Sequence, residues 1–346
     1  VLTCSNPSSV HAAGRRALSV LDEARAGVAA ILRVSEDGVV FCGSATEANN
    51  LAVAGQFADG CGHLVVSAIE HPSVGAVADH LEVRGVEVSR VLPGPDGVVT
   101  ADAVLEAVVP GRTRLVSLMA ANNVTGAIQP VADVAAGLPP GVLLHSDAAQ
   151  APGRISLEPL RCVHLLTLSA HKMHGPSGVG CLAIREGAEP VPVLHGGGQE
   201  GGLRPGTESM PGIVGLAAAL KDATGRQEGD AQRMAALCAR LRELVLEAAP
   251  NTHLPCPPED CLPNTVSAAF AGVDGRELLL ALDSAGVCIS GGSACASGSV
   301  EPAPALLAMG MSSAEALATI RFSLGRATRS TDVEELGRKL AGLQLL

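Results

Sequence analysis

Asp147 closes the apolar run VLLHSD, and His171 and Lys172 follow the apolar run VHLLTLS. These are residue types that can do chemistry together. A lysine amine condenses with an aldehyde to a Schiff base. Pyridoxal phosphate is the common aldehyde cofactor. It needs a carboxylate opposite its ring nitrogen, so that the protonated ring can draw electrons from a substrate α-carbon. Lysine is scarce in this chain: only Lys172, Lys221 and Lys339 occur, while arginine is used freely. A required amine therefore has few candidates, although position alone leaves Lys172 equally open to being an ordinary loop lysine.

Three further groups stand out. Gly43-Ser44-Ala45-Thr46-Glu47 separates a short apolar run from an alanine-rich one. Amides at a helix N-terminus with Ser and Thr hydroxyls make an anion cradle; a plain helix cap by Thr46 reads as well. No G-x-x-x-x-G-K-[ST] is present, which leaves a P-loop unsupported. Cys295 lies within Ser290-Gly291-Gly292-Ser293-Ala294-Cys295-Ala296-Ser297-Gly298. A cysteine among such small residues is placed to be exposed and to move, and its thiolate would be a nucleophile; the alternative is a small buried hydrophobe. Arg321, in Ile320-Arg321-Phe322, calls for an anion, either a ligand carboxylate or a structural partner. The ten histidines show no H-E-x-x-H and no zinc-like Cys/His spacing, so no metal site is expected.

The elements that must position these residues follow from periodicity. Residues 15–33 read as an amphipathic helix. Strands are expected at 39–41, 63–69, 86–92, 114–119, 142–146, 163–169 and 179–184, with helices at 72–84 and 101–109 between them. Alternating strands and helices imply an α/β fold with a mostly parallel sheet covered on both faces. Such sheets bind ligands outside the strand carboxyl ends, where Asn123, Asp147, His171 and Lys172 fall. A glycine-rich loop (195–207), a helix (211–221), a charged stretch (222–230) and a long helix (231–248) follow. Residues 250–263 hold five prolines and read as a linker. Beyond them come strands 264–270, 287–289 and 319–323, and helices 275–285, 303–309, 312–318 and 331–343. Two domains are expected, 1–225 and a smaller α+β domain at 226–346.

With 346 residues, 47% hydrophobic and 17% charged, the chain can bury a large core, which excludes disorder as its main state. No apolar run is long enough to span a membrane. Aromatics are 1% of residues, which argues against base stacking on nucleic acids. A net charge of −11 argues against a phosphate-backbone binder and suits small-molecule partners. Ten scattered cysteines without C-x-x-C suit a reduced, cytoplasmic setting. The chain opens with Val1, and its N-terminus is read as incomplete.

The stretches NPSSVHAAGRRA, GSATEANNLA, SAIEHPSV, ANNVTGAIQPV, HSDAAQAPGR, SAHKMHGPSGVG, GGGQEGGLRPGTES, SGGSACASGSVEPAPALLAMG and IRFSLGR, in this order, resemble the cysteine desulfurases of the NifS/IscS type, within the class V aminotransferases. The resemblance spans nearly the whole chain and implies fold type I, with pyridoxal 5'-phosphate as cofactor. By resemblance Lys172 binds the cofactor aldehyde, Asp147 pairs with the pyridine nitrogen, and Gln150 and Asn123 lie near the ring oxygen. His71 stacks on the ring and takes part in catalysis. Ala45, Thr46, Ser169 and His171 hold the phosphate. Thr207 reaches the phosphate of a partner subunit, which implies a homodimer. Arg321, with Asn123, binds the substrate carboxylate. Cys295 takes sulfur from L-cysteine as a persulfide, leaving alanine, and passes it to an acceptor protein such as an iron–sulfur scaffold. The 26 residues from Cys295 to Arg321 resemble the long cysteine loop of the NifS/IscS group. No nucleic acid or membrane partner is implied. The chain departs from the family's pattern by lacking the opening L-D-x-x-A-T-T motif. It also carries Val124 in place of a glutamate, Ser44 in place of a glycine and His174 in place of an aromatic residue. ANNVTG, RPGTES and LPNT also resemble selenocysteine lyase, the near relative, and a sulfur-carrying scaffold with reduced catalysis is a further reading.

Overall fold

Ala17, Leu21, Ala24, Val28 and Leu32 recur at helical spacing and are all buried. They form the inner stripe of helix α1 (Ala12–Leu32), whose N-terminus is capped by the His11 ring accepting from the Gly14 amide. The computed structural model that shows this describes residues 5–292 and 301–343. Cys295 lies outside the described residues.

The chain divides into two compact units. The first comprises residues up to Val91, Ala101–Ala120 and Pro130–Gln227; the second comprises Leu92–Thr100, Ala121–Gln129 and the chain from Glu228 onward.

The first unit is built on a seven-stranded sheet. In chain order its elements after α1 are β1 (Val39–Cys42), α2 (Ala45–Ala54), β2 (His63–Ser67), α3 (Pro72–Val83), β3 (Glu87–Val91), α4 (Ala101–Glu106), β4 (Thr113–Ser117), α5 (Val131–Gly137), β5 (Leu143–Asp147), β6 (Leu165–Ser169) and β7 (Gly180–Ile184). The spatial order is β1-β7-β6-β5-β4-β2-β3. β3 to β6 pair in parallel through β2, β4 and β5, whereas β7 runs antiparallel to both β6 and β1. Because β7 alone is reversed, β1 points the same way as β6, and the loops that leave β1, β5 and β6 emerge from one edge of the sheet. β1, β2 and β6 are buried along their whole length, the pattern of a sheet covered on both faces. β3 closes the far edge and carries Glu87 and Arg90 outward, charges that discourage pairing with another chain.

The second unit centres on a three-stranded antiparallel sheet, in the order β8 (Thr265–Ala269), β10 (Thr319–Ser323) and β9 (Ser290–Gly291). Its helices are α7 (Gly275–Ser284), α8 (Pro304–Ala308), α9 (Ser313–Leu317) and α10 (Ser330–Gly342). Val266, Phe270, Leu282, Ile320, Phe322 and Leu340 form its core, with Leu241 and Val245.

Three expectations from sequence need correction. Residues 222–230 do not break the helix. Helix α6 runs unbroken over 39 residues (Met210–Ala248). Gly225 and Gly229 have open space around them, and the charged stretch is helical with an Arg226–Asp222 ion pair one turn apart. The strand expected at 287–289 instead pairs at Ser290–Gly291, where Ser290 and Gly291 lie opposite Arg321 and Ile320. Asn123, expected just after a strand, lies six residues beyond the end of β4 (117) and belongs to the second unit.

Candidate active site

In the first unit the turn from β1 to α2 is tied on both sides. Ser44 is extended, and its hydroxyl accepts from the Glu47 amide at 3.2 Å. The cap is therefore Ser44 and not Thr46. Glu47 reaches back, accepting from the Gly43 amide at 2.6 Å and from Arg204 Nε at 2.8 Å. The first-turn amides of Ala45 and Thr46 stand outside the intrahelical ladder, as at any helix start, and face an anion favourably. Gly180 permits this geometry: a Cβ there would lie 2.6 Å from the Ser44 carbonyl carbon and 2.8 Å from the Ala45 amide. Thr46 and His71 share the lining of a cavity of about 410 Å³ that extends past Asn50 and Ser73 to His80.

Asp147 is the last residue of β5 and is buried. Its Oδ1 accepts from the Ala149 amide at 2.9 Å, and its Oδ2 accepts from Asn49 Nδ2 at 2.7 Å. The other hydrogen of that amide goes to Ser73 Oγ at 2.8 Å, and Ser73 Oγ meets His71 Nδ1 at 2.8 Å. A continuous chain of hydrogen bonds thus runs from Asp147 through Asn49 and Ser73 to His71. His71 Nδ1 also accepts from the Ser73 amide at 3.1 Å, so the proton of the neutral ring sits on Nε2. Desolvation holds the His71 pKa below its ordinary value; Asp147 opposes this and Lys172 adds to it. The ring is neutral at physiological pH.

Lys172 sits in the short turn after β6 and is exposed. One arginine frames it. Arg154 Nη2 donates to the Lys172 carbonyl at 2.9 Å, while Arg154 Nη1 donates to Gln150 Oε1 at 3.0 Å and to the Gln150 carbonyl at 2.9 Å. Ser169 Oγ meets His171 Nδ1 at 3.0 Å. Desolvation and the neighbouring Lys172 keep His171 below its ordinary pKa as well. His174 takes the left-handed conformation that ends this turn. Thr207 is exposed, one residue past Gly206, whose amide donates to Gln199 Oε1 at 3.0 Å.

Glu70 sits under this group. Its Oε1 accepts from Ser67 Oγ at 2.9 Å and from the Met119 amide at 2.7 Å, while Oε2 is buried without a hydrogen-bond partner. Burial first, and the Asp147 charge second, push its pKa up to about 8. Glu70 is thus a neutral acid at pH 7.

The second unit holds the remaining candidates. Arg321 lies mid-strand in β10. It donates through Nη1 to the Asn123 carbonyl at 2.5 Å and through Nη2 to Ser290 Oγ at 2.9 Å. Asn122 folds the Asn123 turn, its Oδ1 accepting from the amides of Val124 and Thr125 at 2.8 and 2.9 Å. Val124 packs on the apolar cluster of Leu306, Met309 and Ala316, which accounts for an aliphatic residue at this position.

These donors and acids fit a phosphorylated pyridine aldehyde. The first unit has a glycine-cleared helix N-terminus for the phosphate, a buried carboxylate held by an amide for the ring nitrogen, and an exposed lysine amine at a neighbouring strand end. Sequence reasoning missed Asn49, Ser73, Glu70 and Arg154. The one available signal was a polar Asn49 in an otherwise apolar helical face, which is costly unless partnered.

Comparison with known proteins bears on the family. The model of the Aminotransferase class-V family matches residues 3–336. A cysteine desulfurase of Cereibacter sphaeroides is 40% identical over 338 residues, covering 96% of this chain and 86% of the relative. Cysteine desulfurase IscS 1 of Archaeoglobus fulgidus is 36% identical over 342 residues, covering 98% and 89%. Among solved structures, a NifS-like protein superposes with a TM-score of 0.89 at 36% identity, covering 98% of this chain and 91% of that one. SspA in complex with cysteine superposes with a TM-score of 0.80 at 33% identity, covering 93% and 91%.

Proposed function

The chain belongs to the class-V aminotransferase family, with the fold type I architecture of its NifS-like members, and from that premise we propose that it is a pyridoxal-phosphate-dependent cysteine desulfurase. The observation that carries the reading is 40% identity to a cysteine desulfurase over 96% of this chain. The reaction removes sulfur from L-cysteine, leaves L-alanine, and loads the sulfur on Cys295 as a persulfide for transfer to an acceptor protein such as an iron–sulfur scaffold. A homodimer in which Thr207 reaches the partner's phosphate site belongs to the same reading. The eight free thiols among the described residues suit a reducing, cytoplasmic setting.

Pyridoxal phosphate, when bound, supplies an electron sink for the bonds at the substrate α-carbon. The chain's own residues do the rest. The amides of Ala45 and Thr46, with Ser169 and His171, hold the phosphate. Asp147, fixed by Asn49 and the Ala149 amide, keeps a proton on the pyridine nitrogen. Lys172 would provide the amine that retains the aldehyde, and Gln150 and Asn123 would serve the ring oxygen. His71, neutral and protonated on Nε2, would stack on the ring and offer a donor to the reacting centre. Arg321, supported by the Asn123 carbonyl and Ser290, receives the substrate carboxylate. The Cys295 thiolate attacks the substrate sulfur. A bond from Cys295 Sγ to that sulfur would form as the carbon–sulfur bond breaks; the pair of the broken bond stays with the carbon, which takes a proton from water to become the methyl group of alanine.

The test is an absorbance spectrum of the purified protein before and after L-cysteine, with sulfide and alanine assayed in the same tube under reductant. The expected result is a visible cofactor band with alanine and sulfide in equal amounts. Lys172→Ala removes the band, and Cys295→Ser keeps the band while losing sulfide release. A band with no turnover of cysteine by the unmodified protein would sink the proposal.

A further inference from the structure

The loop that leaves β5 is fastened at both ends. Asp147 Oδ1 accepts from the Ala149 amide at 2.9 Å, and the Ala151 amide donates to the Ala148 carbonyl at 2.9 Å. At the far end the Arg154 amide donates to the Ala151 carbonyl at 3.0 Å, and Gln227 Nε2 of α6 donates to the Arg154 carbonyl at 3.3 Å. Gly153 has a φ of +75°, and a Cβ there would lie 3.2 Å from the Ala223 Cβ, so this backbone lies close against α6. Arg154 is half-buried, and from this held position its guanidinium reaches two loops. Nη1 donates to Gln150 Oε1 at 3.0 Å and to the Gln150 carbonyl at 2.9 Å, and Nη2 donates to the Lys172 carbonyl at 2.9 Å. One planar group thus ties the loop after β5 to the turn after β6.

We propose that Arg154 is a positioning residue, which holds the Gln150 carboxamide by its oxygen so that its free NH2 end is a hydrogen-bond donor to the ring oxygen of the cofactor at Lys172. The roles of Gln150 and Lys172 toward the cofactor rest on the reading above; the orientation of the amide does not. A guanidinium carries donors only, so the end of the carboxamide that faces it is the oxygen. The other end is then NH2, which gives hydrogen bonds and accepts none. Left alone, a terminal carboxamide has a broad, roughly two-fold torsion and presents either end. Toward an oxygen that carries negative charge the two ends differ in sign: NH2 attracts it and the carbonyl repels it. The bond to the Lys172 carbonyl sets the same guanidinium against the turn that carries the amine, so donor and amine share one rigid support. A donor at the ring oxygen stabilises it most when that oxygen bears its full charge, after the proton it shares with the lysine nitrogen has left. Gln150 held in this way lowers the pH at which the bound cofactor changes colour.

The visible band of the cofactor-loaded protein is titrated with pH for the wild type, Arg154→Met, Gln150→Met and the double variant. Arg154→Met raises the midpoint by about one pH unit, a tenfold change in proton affinity and the loss of about one hydrogen bond to a charged acceptor. Gln150→Met gives a similar rise, and the double variant rises no further than Gln150→Met alone, because Arg154 acts through the amide. Arg154→Lys, which also offers only donors, brings the midpoint back toward the wild-type value and serves where the methionine variant does not fold. A midpoint unmoved by Arg154→Met, or a shift that adds to that of Gln150→Met, overturns the proposal. A second measurement needs no cofactor. The purified protein is isotope-labelled at its glutamine side-chain nitrogens, and the magnetic resonance signal of the Gln150 amide is identified by its loss in Gln150→Met. That signal moves toward the position of a free amide in Arg154→Met; a signal that stays in place refutes the hold of Arg154 on Gln150. If the wild type shows no visible band, the reading above fails and with it the role of the amide toward the ring, and the amide signal still decides what Arg154 holds.

Discussion

Glu70→Gln separates a neutral buried acid from an ionised one. In the folded chain the carboxyl titrates near 8, against 4.5 in the unfolded chain. Its folded pKa is raised, so its contribution to stability is fully present below about pH 4.5 and is lost as pH rises through about 8. Each pH unit in that window lowers the stability by about 1.4 kcal/mol, or up to roughly 5 kcal/mol across it. Glutamine copies the neutral acid and does not titrate. Its amide occupies the Oε2 region, where no partner waits, and that cost is the same at every pH. The difference between the two proteins therefore carries the information. Urea unfolding from about pH 5 to about pH 9 measures it. With no Trp or Tyr in the chain, helix ellipticity is the natural signal. The wild-type curve should fall with pH more steeply than the Glu70→Gln curve, so the variant overtakes or closes on the wild type in alkali. Parallel curves would refute the claim that Glu70 is neutral at pH 7 and would place an ionised pair beside Asp147.

Asn49→Ala removes the amide that bridges Asp147 and Ser73 and should destabilise the first unit by about 2–3 kcal/mol in the same unfolding experiment. Gly180→Ala sets a methyl against the Ser44–Ala45 backbone; a cost of about 1–3 kcal/mol is expected, with faster loss of cofactor on dialysis. Arg321→Gln should lower kcat/KM for cysteine by about tenfold or more, mostly through KM, while leaving the cofactor band intact.

The strand-end residues were legible because an apolar run stops where a polar residue begins, and period and punctuation mark that point. Asp147 closes β5, and Lys172 follows β6 within one short turn. What positions them was not legible. Asn49, Ser73 and Glu70 act across elements far apart in sequence, and the apolar face around Asn49 signals a partner without saying which. The cap at Ser44 was displaced by two residues from the reading of Thr46, because both are good caps and only the extended backbone at Ser44 decides. The unbroken α6 was hidden by its charged middle stretch, 222–230, read as separating two helices; the two glycines within it cost about 1 kcal/mol each in a helix. Here the packing of the flanking turns outweighs that propensity.

The reversed strand β7 has a consequence in time. The β1 turn that forms the anion cradle stands at the edge of the sheet until β7 pairs with it, and Cys42 lies opposite Gly180, 138 residues later. At about 5–20 residues per second, a ribosome needs roughly 7–28 s to make that stretch. During this interval the apolar edge Val39–Cys42 has no pairing partner from its own sheet, and the Gly180 approach that shapes the cradle is missing. The nascent chain therefore completes the β1–α2 turn only after every other strand of that sheet has been synthesised.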